Sequence, residues 1–166
     1  RASGYSWRGG AFRNAGRVDP AVEFSKGGLV STVLDMAKLD AALYTETLLE
    51  QATLEKMWAN ARLNDGQSVP AYGIGFGVTP FQGRRRVGHS GGGPGFVAAY
   101  TRFIDDAVTV ILMANADHDG IEIGEMANEI ASFYFQSVAE KGGARRTIEH
   151  HEPSPPVAVA VNLWAR

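Results

Sequence analysis

Nine residues constrain this 166-residue chain more than any others: Gly88-His89-Ser90-Gly91-Gly92-Gly93-Pro94-Gly95-Phe96, five of them glycine. Glycine brings no side chain to a core and loses the most backbone freedom on folding. Such a run is therefore not ordinary packing. It permits positive φ and the close approach of another backbone or a ligand. Grouped around His89 and Ser90, the glycines point to a strand edge shaped to hold something. A small aromatic strand, Tyr72-Gly-Ile-Gly-Phe-Gly-Val78, is expected upstream, and an apolar strand from Val108 to Ala114 downstream, ending in Asn115.

The length suits one domain with a sizeable core. The chain is 45% hydrophobic and 20% charged with a net charge of -2, which gives no electrostatic footprint for nucleic acid. Arg84-Arg85-Arg86 is a short basic run and reads as solvated surface. Without cysteine there is neither disulfide nor thiol chemistry. No apolar stretch is long enough to span a bilayer. The chain starts at Arg1 with no signal pattern behind it. The reading is a piece of a longer protein whose localisation and oligomeric state stay open.

Residues 1–26 read as loop and extended segments. A helix over 32–43 follows, with Ser31-Thr32 as cap, Asp35 as capping acid, and Leu34, Met36, Ala37, Leu39, Ala42 and Leu43 as its apolar face. A second short helix covers 52–59, opened by Thr53. Strands are expected at 72–78, 84–89, 96–104 and 107–114, the last apolar throughout as in a strand buried on both faces. Residues 121–140 form the clearest amphipathic helix, carrying Ile123, Met126, Ala127, Ile130, Phe133, Tyr134 and Val138 at helical spacing. Beyond it, 143–166 reads as a Pro-rich linker or tail, with Val157 to Val161 an isolated apolar stub. Residues 1–142 are the expected domain, of α/β class in its α+β form: an antiparallel sheet flanked by helices.

Gly88-His-Ser-Gly-Gly92 fits the G-x-S-x-G nucleophile elbow of α/β-hydrolases. That motif needs a buried strand before the serine and a helix after it, and the context here is strand-turn-strand. A trypsin-like arrangement needs a histidine upstream of the serine, and no histidine precedes His89. A phosphate-cradling loop would need Gly-Lys-Ser/Thr and a helix opening there. Taken together and in order, Gly27-Gly28-Leu29-Val30-Ser31-Thr32 with Asp35, Tyr72-Gly-Ile-Gly-Phe76, Gly88 to Phe96, and Val110 to Asn115 resemble the C-terminal part of the serine beta-lactamase-like family. That family includes class C beta-lactamases, penicillin-binding DD-peptidases, D-aminopeptidases and esterases. The likeness runs over roughly residues 3–140.

The resemblance implies that His89-Ser90-Gly91 stands where the family has Lys-Thr-Gly. It makes the Gly92 N–H an oxyanion-hole donor, the catalytic contribution of this chain, with His89, Ser90 and Gly91 shaping the substrate pocket. Removing one such donor costs about 10²–10³ in rate. Ser90 is then a pocket residue rather than the nucleophile. The family's nucleophile lies in Ser-x-x-Lys, paired with Tyr-x-Asn, and neither occurs in these 166 residues. Both are expected upstream of Arg1, so the piece alone is expected to be inactive. Histidine in place of lysine weakens the hold on a substrate carboxylate, because an imidazole of ordinary pKa near ~6.5 is mostly neutral at pH 7. The expected partner is a small-molecule ester, amide or peptide, with no cofactor. Two other readings stay open: a catalytically inactive binding member of the fold, and a true beta-lactamase or DD-peptidase. His118 between Asp117 and Asp119 reads as polar loop, His150-His151-Glu152 as tail, and neither as a metal site. Gly27-Gly28 reads as a turn, and Tyr72 and Phe76 as core rather than substrate contacts.

Overall fold

The computed structural model describes residues 2–19, 21–25, 27–117, 122–142 and 157–163. The chain opens with a hairpin, β1 (Tyr5–Arg8) and β2 (Ala11–Asn14). Gly9 and Gly10 both adopt positive φ at its turn, the geometry that two-residue hairpins require. The expectation of loop and extended segments over 1–26 does not include the pairing of two of them as a hairpin. The overlooked signal is the glycine pair between two short aromatic-bearing segments, whose Trp7 and Phe12 rings meet edge-on at 4.9 Å.

Helix α1 (Val33–Ala42) begins where the cap predicts: Thr32 Oγ1 accepts the Asp35 N–H at 3.1 Å and donates to Asp35 Oδ2 at 3.0 Å. Its buried face differs from the expected one. Val33, Asp40 and the following Leu43 are buried, whereas Leu34 and Leu39 are exposed. Helix α2 (Gln51–Met57) takes Glu50 as its N-cap, so Thr53 lies inside the helix instead of opening it.

The main sheet has the order β3 (Gly77–Val78), β4 (Arg86–Gly93), β5 (Phe96–Phe103), β6 (Val108–Ala114), β8 (Val157–Leu163). β3 to β6 are antiparallel neighbours. A smaller sheet, β2-β1-β7, adds β7 (Ala116–Asp117), parallel to β1. The aromatic segment from Tyr72 shortens to β3. Ahead of β3 the chain turns at Gly75, whose φ is +76°, and closes with the Gly73 N–H donating to the Phe76 carbonyl at 2.8 Å.

Side chains alternate across a strand, and both faces of this sheet are covered. One face packs Ala99, Phe103, Val108, Val110 and Leu112 against Ile123, Ala127, Ala131 and Phe135 of α3 (Ile123–Gly142). That i, i+4 line leaves Phe133, expected on the apolar face, exposed. The other face sets Tyr100 and Ile111 against Val33 of α1, and Val87 against Leu43, Leu54 and Trp58. Coverage on both sides is why β6 reads as continuously apolar.

Val157–Val161, expected to be an isolated stub, lies within β8, paired in parallel with β6 from Val108↔Val157 to Ala114↔Leu163. The physical reason is the outer edge of β6, a row of backbone groups needing partners. Val159 and Val161 pack against the α3-side core. The Pro-rich segment 143–156 and the His118 and His150–Glu152 sites lie outside the described residues.

Candidate active site

Strand β4 runs through the glycine-rich segment, so the expected strand 84–89 extends to Gly93. It pairs with β5 along its whole length, from Arg86↔Phe103 to Gly93↔Phe96. On its other side β3 reaches only Val87 and Gly88. Among the described residues, the outer edge of His89 to Gly93 has no strand beside it. An unpaired strand edge is a template for an extended peptide or acyl chain.

The tight turn that sends β4 into β5 is held from below. Gly95 has φ +79°, and a Cβ there would sit 2.6 Å from Ala15 Cβ and from the Gly4 carbonyl carbon. The Gly95 N–H donates to Asp117 Oδ2 at 2.6 Å. That bond, with help from Ser6, holds the Asp117 carboxyl below the usual carboxylate range. Gly91 and Gly93 differ from Gly95: a Cβ on either would meet nothing within 4 Å. Their missing side chains do not serve packing within the described residues; they leave space beside the strand.

Alternation puts Ser90 and Gly92 on the α3 face with Arg86, and His89 on the α1 face with Val87. Two clefts flank the strand. One, of about 520 Å³, is bounded by Ser90, Gly92, Arg86 and the first turn of α3. The other, of about 270 Å³, lies toward the β3 end of that edge, bounded by Tyr72, Gly77, His89 and Tyr100 and also by Arg86, Ser90 and Gly124. The four residues singled out in the sequence, His89, Ser90, Gly91 and Gly92, therefore lie together on one exposed strand edge between two clefts.

His89 and Ser90 do not form a base-nucleophile pair. His89 Nδ1 lies 2.5 Å from the Ser90 carbonyl oxygen, and Nε2 lies 3.1 Å from Tyr72 Oη. Both ring nitrogens are engaged, and neither meets Ser90 Oγ. Tyr72 is the residue that the sequence reading misplaced. It is 40% exposed rather than core, and its ring stands edge-on to His89 at 6.1 Å. Gly73 fixes its position, because a Cβ there would fall 2.1 Å from the Met57 carbonyl oxygen and 2.7 Å from that of Ala59. The turn is thereby pressed against the end of α2. Phe76, as expected, packs inward on Tyr100.

In the arginine run Arg85 is exposed, as its solvated reading expects, whereas Arg84 and Arg86 are half-buried. Arg84 bonds Asp106 and lies 4.2 Å over the Phe135 ring. Arg85 pairs with Glu55 at 2.8 Å and Asp105 at 3.3 Å. Arg86 donates to the Thr79 carbonyl at 2.9 Å and to Asn128 Oδ1 at 3.0 Å. Three consecutive arginines thus tie the base of β4 to the β5–β6 turn, to α2 and to α3. Among the described residues, no three His, Asp or Glu side chains gather as they would around a metal ion. No helix there is long and apolar enough to cross a membrane.

A largely antiparallel sheet between helices, with a glycine-rich strand exposed beside a cleft, defines a mixed α/β fold of the beta-lactamase/transpeptidase kind. The chain belongs to the beta-lactamase family, whose model it matches over residues 1–132. It is 35% identical over 95 residues to penicillin-binding protein 4* of Bacillus subtilis (strain 168). The match covers 56% of this chain and 21% of that protein, so the chain corresponds to about a fifth of the relative's length.

Proposed function

We propose that this chain is the sheet-bearing part of a serine hydrolase that works through an acyl-enzyme and acts on esters or small amides. The observation that carries the reading is the unpaired edge of β4 from His89 to Gly93, open between two clefts. An acyl chain laid along that edge gains backbone hydrogen bonds, and the glycines admit its scissile carbonyl close to the strand. The Gly92 N–H is the donor that stabilises the tetrahedral oxyanion. Ser90 and Gly91 shape the pocket, and His89 lines its α1 side. The nucleophile and its base come from the part of the protein that precedes this sheet, as Ser-x-x-Lys and Tyr-x-Asn. Acyl transfer to that serine, then to water, requires no cofactor.

Histidine at position 89, where the family has lysine, puts no ammonium group in the pocket, which supports esters and amides over substrates held by a carboxylate, such as beta-lactams. The test uses the longest reading frame that carries this chain, assayed with p-nitrophenyl esters of short acids and with a chromogenic cephalosporin. Ester hydrolysis exceeding cephalosporin hydrolysis in kcat/KM is the expected result. The reverse order would make the protein a beta-lactamase. No turnover, with ligand still retained, would make it a binding member of the fold.

A further inference from the structure

The contacts of His89 assign its protons. A carbonyl oxygen only accepts, so the 2.5 Å contact with the Ser90 carbonyl places the hydrogen of the neutral ring on Nδ1. Nε2 is then a lone pair, and the group 3.1 Å from it, Tyr72 Oη, must donate. The phenolic proton is committed to the ring, which leaves the cleft facing the lone pairs of Tyr72 Oη. Tyr72 is 40% exposed and borders the 270 Å³ cleft.

We propose that Tyr72 is the specificity-determining residue of this site. It holds His89 in the Nδ1–H tautomer, and the pair offers the cleft a hydrogen-bond acceptor with no donor. The substrate class this selects carries a donor beside the scissile bond, an amide N–H or an ammonium, and not a carboxylate. The choice of substrate rests on the hydrolase reading above; the tautomer does not. Protonating the ring would reverse the polarity: Nε2–H would donate to Tyr72 Oη, and the phenolic proton would turn outward. The groups around the ring are few. Tyr72 comes from the turn and Tyr100 from β5; Arg86 borders the same cleft but leaves the opposite face of β4, where it donates to the Thr79 carbonyl and to Asn128 Oδ1. Behind Tyr100, on α1, lies Asp40, to which Tyr100 donates at 2.5 Å and Arg102 at 2.8 Å. The proton of Tyr100 is thus already used, and its hydroxyl does not compete for His89.

The tautomer is read directly from ¹⁵N resonances of the histidine rings in the 166-residue chain at about pH 8, where an ordinary imidazole is neutral. His89 is expected in the Nδ1–H form, and Tyr72→Phe is expected to release it to a mixture. An Nε2–H ring in the unaltered chain, or no response to Tyr72→Phe, overturns the proposal. In the longer protein, matched esters bearing either an amide or a carboxylate at the same position are compared. Tyr72→Phe should lower the amide-over-carboxylate preference by about tenfold, through KM, since one hydrogen bond is at stake. On an ester with neither group it should raise KM less than on the amide ester. An equal loss on all three esters would make Tyr72 merely structural and sink the assignment. A longer protein without any turnover defeats the hydrolase reading, and the ring resonances then decide the tautomer alone.

Discussion

Glycine serves two distinct purposes in this chain, and side-chain substitution separates them. At Gly73 the missing Cβ makes room for the carbonyls of Met57 and Ala59. Gly73→Ala is expected to destabilise the chain by about 1–3 kcal/mol through overpacking, seen as a lower urea midpoint, and to loosen the Tyr72–His89 contact with it. At Gly91 a Cβ meets nothing within 4 Å. Gly91→Ala should leave the midpoint within about 0.5 kcal/mol, as surface changes do, yet cut ester hydrolysis in the longer protein by intruding on the strand edge. Equal stability losses for the two variants would mean that the space beside Gly91 belongs to the fold and not to a ligand. Composition alone gives no means of telling these glycines apart, because the difference lies in neighbours distant in sequence.

At the scale of elements, what joins α1 to the sheet is a buried ion pair. Asp40 Oδ1 accepts from Tyr100 Oη at 2.5 Å, Arg102 Nη1 at 2.8 Å and Thr109 Oγ1 at 3.0 Å. The Arg102 guanidinium lies 3.7 Å from the Tyr44 ring centroid and 5.1 Å from that of Trp58. Burial and the adjoining carboxylate push the Tyr100 hydroxyl far above its ordinary range, so it stays a donor. Asp40→Ala would strand a buried guanidinium and should cost about 3–5 kcal/mol, whereas Asp40→Leu with Arg102→Met should recover most of that loss. Chemical denaturation of the two variants measures both. The Asp117 carboxylate, which joins the Gly95 turn to β7, gives a pH dependence of definite sign. Its folded pKa lies below the unfolded value near 3.8. The stability it contributes is therefore present above that value and lost as pH falls through the lower folded pKa. Asp117→Asn should flatten the acid limb of a melting-temperature profile; an unchanged limb would show that the Gly95 contact does not form in solution. The sequence made α3, β5, β6 and the Thr32 cap legible, since periodicity and capping are local properties. It hid Asp40 and Arg102, because a charge on an apolar stripe reads as an interruption until its partner, 62 residues away, is known. Tyr72 was hidden for the converse reason: an aromatic between apolar neighbours looks like core.

Across the whole molecule, apolar surface is left open along one stretch of chain. Phe24 is 82% exposed, Leu29 99% and Leu34 68%. In the proposed longer protein this stretch is where the nucleophile-bearing part would pack, and in the 166-residue chain it faces water. Large exposed apolar side chains of this kind promote association. Leu29→Lys with Leu34→Glu should lower self-association in sedimentation without shifting the unfolding midpoint. At the opposite end of the chain, β8 closes the outer edge of β6, whose Val108, Val110, Ile111 and Leu112 are fully buried. Ending the chain at Gly142 exposes both a hydrogen-bonding edge and an apolar surface beneath it. The truncated chain should then unfold at lower urea with a smaller denaturant slope, since less surface is exposed on unfolding, and should aggregate sooner. A midpoint and slope equal to those of the full chain would mean that residues 143–166 belong to a separate unit, and that the edge of β6 is stable without them.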